Sequence, residues 1–303
     1  MVSVPRDAPP SSALSLSRLV PFLAVLSSVI FLGIGTSWAK QLFPLVGAQG
    51  TTALRVGFSA LLLTLIWRPW RWRLSRADAR AIACYGVALG VTNLAFYLAL
   101  RSIPFGVAVA IEFSGPLTMA ILSSRRAVDF IWVALAIAGL ALLLPLGHGA
   151  STLDPVGVAF ALASAVFWAL YIVFGKRVGH LHSGHSVSLG LLAAALVVVP
   201  VGVAHAGVAL LSPMVLLVGL CVAAISSAIP ISLEMVALKR LPKEAFGIMI
   251  SMEPAVAALL ALVLLDEHLS APPWLAIGLV MAASMGSALT ARQATGEAAQ
   301  VAT

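Results

Sequence analysis

Apolar residues run almost unbroken in ten stretches, at roughly 19–39, 47–67, 79–100, 104–123, 127–146, 155–175, 186–205, 213–237, 244–265 and 272–291. A helix rising 1.5 Å per residue needs about 20 apolar residues to cross a hydrocarbon core about 30 Å thick. The runs are continuous and lack the period-two alternation of a membrane barrel, so they predict ten transmembrane α-helices. The first run ends in "SWAK", faintly like a signal-peptidase site. Its apolar stretch is too long for a cleaved signal core, and it reads as a retained helix. Residues 1–17, rich in Pro and Ser, read as a disordered tail.

The polar positions between the runs set the orientation. Fifteen of the eighteen Lys and Arg residues fall on one side, Lys40 and Arg101 on the other, and Arg55 inside a span. Basic loops stay in the cytoplasm, so both termini are expected to be cytoplasmic. Composition strengthens the membrane reading: 61% of residues are hydrophobic and 10% charged, where a soluble domain carries about a quarter charged. Mean hydropathy is +1.07. The net charge of +7 is scattered over loops, which argues against a nucleic-acid partner. Cys84 and Cys221 lie far apart in apolar runs and read as small buried apolar residues, without disulfide or metal spacing.

The chain also repeats itself. Pro104 and Pro242 are 138 residues apart, as are Pro116 and Pro254. "LRSIP" (100–104) aligns with "LKRLP" (238–242) at that offset, and "SVIFLGIGTSWAK" (28–40) with "SAVFWALYIVFGK" (164–176) at an offset of 136. Two five-helix halves follow, 18–147 and 148–291, with a cytoplasmic tail at 292–303. Five is odd, so the second half enters the membrane upside down relative to the first. Inverted repeats of this kind build many secondary transporters, with the binding site near the midplane between the halves.

Chemistry inside the spans is sparse. Proline cannot donate to the carbonyl four residues earlier, so Pro116 and Pro254 are expected to break their helices and free the carbonyls of Glu112 and Ile250. Such carbonyls need protein or a wet cavity near the membrane centre. Arg55, Glu112, Glu234 and Glu253 are ionisable residues within spans, where charge is costly and function is the default reading. Glu234 stands five residues before Lys239 and reads as snorkelling to the cytoplasmic surface.

Arg55 and Glu112 each lie about eight residues below the outer surface, by 1.5 Å per residue at equal depth. They can pair statically, or clasp a zwitterion with guanidinium on carboxylate and Glu112 on ammonium. Glu253, beside Pro254, is the candidate proton carrier, with Glu112 as a second proton-coupling acid. Asn93 and Tyr97 share one face of the third span, and Trp168 and Tyr171 one face of the sixth; these four are candidate substrate-binding residues. The histidines of "GHLHSGH" (179–185) read as a loop without metal-binding geometry. Gly86 and Gly90 read as a close helix contact. No metal or other cofactor is expected. A GxxxxGK[ST] loop is absent, and no span holds a nucleophile with a base or HExxH ligands, so neither a primary pump nor an enzyme is expected.

Two segments then carry a family resemblance. "LKRLPKEAFGIMISMEPAVAALLALVLLDEHLS" (238–270) resembles the EamA repeat of the drug/metabolite transporter superfamily, with Glu253-Pro254 as its Glu-Pro pair and Asp266-Glu267 at its acidic turn. "RSIPFGVAVAIEFSGPLTMAIL" (101–122) is similar to the threonine/homoserine exporter branch, with its "AVAIEFxGP" segment. The first half departs from the repeat: Gly115 replaces the Glu of the pair and "SSRR" the acidic turn, leaving Glu112 as the acid. The resemblance implies an all-α integral membrane protein of ten transmembrane helices as two EamA repeats, and export of small metabolites.

The expected function is secondary export of small amino acids such as threonine and homoserine across a bacterial inner (plasma) membrane. Proton antiport and alternating access would drive it, with the amino acid, protons and the lipid bilayer as partners and a monomer or homodimer as the unit. A drug exporter, a channel or scaffold, and a membrane-embedded enzyme are the alternatives.

Overall fold

Among the described residues the apolar runs are helical, and three of them are broken in two, at Phe113, at Ala224–Ala228 and at Ser251–Met252. The computed structural model describes residues 11–72, 74–123, 128–143, 153–238, 240–241 and 243–301. Its helices in chain order are α1 (Ser11–Lys40), α2 (Phe43–Trp67), α3 (Arg76–Ala99), α4 (Phe105–Glu112), α5 (Ser114–Ser123), α6 (Asp129–Leu143), α7 (Pro155–Val178), α8 (Ser183–Ala206), α9 (Pro213–Ala223), α10 (Ile229–Leu238), α11 (Lys243–Ile250), α12 (Glu253–Leu265) and α13 (Ala271–Val301). A π-helical turn, Ala224–Ala228, joins α9 to α10. Among the described residues, seven helical stretches are long and apolar enough to cross a membrane, and Phe105–Met119, Phe130–Leu142 and Ala271–Ser287 are shorter apolar helices.

Local chemistry sets the ends. Asp154 caps α7 by accepting from the amides of Val156 and Gly157, both at 3.2 Å. The Ser102 hydroxyl and these amides hold its carboxyl below the ordinary aspartate range. Ser75 caps α3 by accepting from the Asp78 amide. Gly47 takes φ 67°, a left-handed conformation that puts a kink inside α2 at no Cβ cost.

Packing follows small residues, as expected where lipid supplies no hydrophobic drive. α2 lies against α8, α3 against α7 and α8, α4 against α12, α5 against α7, α1 against α10 and α12, and α6 against α13. A Cβ on Gly90 would meet the Ala194 Cα at 3.1 Å, and one on Gly86 the Gly190 carbonyl carbon at 3.1 Å, so α3 and α8 touch nearly backbone to backbone. Every residue of α4 is buried; apart from Glu112 at its end it is apolar all round, as a helix inside a bundle is. Gly115 is explained by the same rule. A Cβ there would stand 2.9 Å from the Ala165 carbonyl carbon, so no glutamate fits where α5 crosses α7.

Several expectations change. Residues 11–17, expected as part of a disordered tail, begin α1, and 292–301 of the expected cytoplasmic tail continue α13. The prolines that suggested disorder end at Pro10, and the C-terminal stretch is rich in helix-favouring Ala, Gln, Arg and Glu. Cys84 and Cys221 are exposed, not buried; on a bundle surrounded by lipid, apolar residues also face outward. His182 and His185 are not isolated in a loop: they pack on Trp67 and Trp72, with ring centroids 5.4 and 5.3 Å apart. Residues 1–10, the "SSRR" positions Arg125 and Arg126, and Lys239 and Pro242 lie outside the described residues.

Candidate functional site

The helix breaks come first, because they create the polar centre. α4 stops at Glu112, four residues before Pro116, and α11 stops at Ile250, four residues before Pro254. Each proline withholds the amide that the carbonyl of that last residue would accept from. Both breaks set a carboxylate at the interruption: Glu112 closes α4 and Glu253 opens α12.

A cavity of about 220 Å³ lies at these breaks, walled by α1, α2, α3, α4, α7 and α12. Arg55, Asn93, Glu112, Trp168, Tyr171 and Glu253 all face it. A second cavity of about 570 Å³ shares Arg55, Asn93 and Tyr171 with the first and continues past Ser226 and Ser227 to Glu234.

Arg55 is the hinge between the two spaces. Its Nε donates to Ser226 Oγ at 2.7 Å, one Nη donates to the Ser226 carbonyl at 3.1 Å, and the other Nη donates to Asn93 Oδ1. Pro230 stands four residues after Ser226 and cannot donate to that carbonyl, so the π-helical turn offers a free acceptor that the guanidinium takes. The guanidinium also lies over the Tyr97 ring, 5.5 Å from its centroid. Asn93 in turn donates from Nδ2 to the Leu89 carbonyl at 2.8 Å.

Glu112 is buried and bonded to the Ser164 hydroxyl, which also lies 2.9 Å from the Thr92 carbonyl. One hydroxyl proton serves one acceptor at a time. With Glu112 ionised, Ser164 donates to the carboxylate. With Glu112 protonated, the carboxyl donates to Ser164, which turns its own proton to Thr92. Glu253 makes no side-chain hydrogen bond or ion pair among the described residues, yet interacts electrostatically with Glu112, Glu234 and Arg55.

The sequence expectations are redistributed accordingly. Arg55 and Glu112 share one cavity, but no ion pair joins them among the described residues; each is held by neutral partners. Asn93, Trp168 and Tyr171 line the cavity. Tyr97 does not: it is fully buried beneath Arg55, because a ring that the guanidinium covers cannot also face the open space. Glu234 does not snorkel to the surface. It accepts from Ser28 Oγ at 2.7 Å and lines the larger cavity, since α1 packs over that side of α10. Thr92, Ser164 and Ser226 were not singled out; the visible signal for Ser226 was Pro230, four residues on in "SSAIP" (226–230).

At one end of the bundle Glu267 ties three elements together. It pairs with Lys40 at the end of α1 and accepts from the Phe105 amide at 2.7 Å, the first residue of α4. A carboxylate at a helix start and a lysine at a helix end both suit the helix dipole.

Comparison with known proteins supplies the remaining context. The model of the EamA-like transporter family matches residues 155–289. The threonine/homoserine exporter RhtA of Escherichia coli K12 is 46% identical over 284 residues, covering 94% of this chain and 96% of that protein. The protein of the same name from Salmonella typhimurium LT2 is also 46% identical over the same shares. One solved crystal structure, 20% identical, superposes with TM-score 0.56 over 91% of this chain and 96% of that one, a likeness of fold.

Proposed function

The chain belongs to the EamA-like transporter family and is a multi-pass membrane transporter, not an enzyme; on that premise we propose that it exports small amino acids such as threonine and homoserine by proton antiport. The observation that carries this reading is the charge set of the smaller cavity: one guanidinium facing two carboxylates. Three of Arg55's N–H directions are used by Ser226 and Asn93. A guanidinium has five, so two remain for a substrate carboxylate. Glu112 then meets the ammonium, and Glu253, with no hydrogen bond or ion pair among the described residues, carries the exchanged proton. The names of the RhtA relatives point to the same substrates.

Ten spans arranged as two inverted five-helix halves, 18–147 and 148–291, with cytoplasmic termini, complete the reading. Packing supports it. α3 on α7 corresponds to α10 on α1 when each helix is exchanged for its counterpart in the other half, and α5 on α7 corresponds to α12 on α1. α2 with α8 and α6 with α13 are pairs of counterparts, and the α4–α5 and α11–α12 spans meet through α4 on α12. Rocking of such halves about the shared cavity alternates its access.

Purified protein in liposomes, assayed with labelled threonine under an imposed pH gradient, tests the proposal. Glu112→Gln is expected to abolish transport while the protein stays folded, since losing one buried charge partner costs about 2–5 kcal/mol of binding. Normal transport by that variant overturns the clasp. Glu253→Gln is expected to flatten the pH dependence, and an unchanged profile removes it from the proton path.

A further inference from the structure

We propose that the larger cavity is a loading station, separate from the Arg55–Glu112 site, in which Glu234 receives the substrate's ammonium group first. This rests on the amino-acid export argued above.

Glu234 faces a cavity of about 570 Å³ with no ion-pair partner among the described residues. Its one hydrogen bond there is the neutral one from Ser28 on α1. The other polar groups around the space are Tyr85 on α3, Tyr171 on α7, Ser226 and Ser227 on the π-helical turn, and Arg55 with Asn93 at its far end. A carboxylate so placed, without a counter-cation and with one oxygen free of protein donors, suits an ammonium ligand. Tyr85 donates to the Tyr171 hydroxyl at 3.2 Å with the rings stacked, which makes one wall an aromatic surface with a polar edge.

Distance separates this station from the inner one. Glu234 lies eight residues beyond Ser226, the residue that holds Arg55, or about 12 Å along a helix at 1.5 Å per residue. By that rise the backbones that place Glu234 and Arg55 are about two helical turns apart, while an α-amino acid carries its ammonium and carboxylate on neighbouring atoms. Glu234 and Arg55 therefore act in turn. The two cavities share Arg55 and Asn93 as lining residues, and a carboxylate that takes the two N–H groups left free by Ser226 and Asn93 is then handed on toward Glu112.

The test uses the full chain with Cys84→Ser and Cys221→Ser, plus Ser227→Cys as a reporter, labelled by a thiol reagent from the cytoplasmic side. Threonine is expected to slow labelling about fivefold or more in this background and with Glu112→Gln added, but not with Glu234→Gln. Glu234→Asp, which keeps the charge, should retain protection. In transport, Glu234→Gln should raise the KM for cytoplasmic threonine about tenfold with the maximal rate within about twofold, a loss of binding before the central step. Protection that survives Glu234→Gln, or that is lost equally in Glu234→Asp, overturns the proposal. Absent protection in a background that still exports threonine overturns the loading station alone. A parent protein that does not export threonine overturns the export reading and this proposal with it.

Discussion

Arg55 brings a permanent charge into an apolar bundle, and what surrounds it decides whether that charge is a defect or a tool. Its holders are Ser226 and Asn93, and Ser226 is itself pressed by α1. A Cβ on Gly35 would stand 2.6 Å from the Ser226 Cβ and 2.8 Å from its backbone nitrogen. Gly35→Ala must therefore push the π-helical turn, and its carbonyl, away from the guanidinium. The expected result is a KM for threonine raised about tenfold, near 1.4 kcal/mol, with normal amounts of protein in the membrane. A KM unchanged within about twofold would show that the turn does not position Arg55. Arg55 itself was visible as a lone charge in an apolar run. Ser226 was marked only by Pro230 four residues on, which frees its carbonyl without saying what takes it; its nearness to Arg55 in space supplies that.

Among the elements, the interrupted helices and the Glu267 tie matter most. Proline positions alone foretell where α4 and α11 end, since the missing amide is a local property of the chain. The tie is different in kind: Lys40 and Glu267 are 227 residues apart, and their pairing with the start of α4 depends on three helices ending at one place. It holds α1, α4 and the end of α12 together on the side assigned to the cell exterior. Mostly buried, it is worth about 0.2–1 kcal/mol by analogy with exposed pairs, enough to shift an open–closed equilibrium about 1.4- to fivefold. Lys40→Ala is accordingly expected to increase labelling of a Val109→Cys reporter from outside the cell up to about fivefold. Equal labelling with and without Lys40 would remove the tie from gating.

For the whole molecule, the proposed pseudo-twofold arrangement predicts a topology. Reporter fusions after residue 303 and before residue 1 should both read cytoplasmic, while tags beside Lys40 and Arg101 should read exterior; a single terminus outside would refute the inverted halves. What the sequence determined alone is the set of local and one-dimensional properties. Helix lengths follow from apolar runs, helix breaks from proline, and charge asymmetry from the loops, because each depends on neighbours along the chain. Tertiary structure decided the partnerships: Arg55 with Ser226 and Asn93 and not with Glu112, Tyr97 beneath the guanidinium and not in the cavity, and Glu234 in a cavity and not at the surface. Those outcomes depend on the rotation of each helix about its axis and on which small residues let backbones approach. Nearly uniform apolar spans carry almost no periodicity to reveal either, so only the packed bundle could settle them.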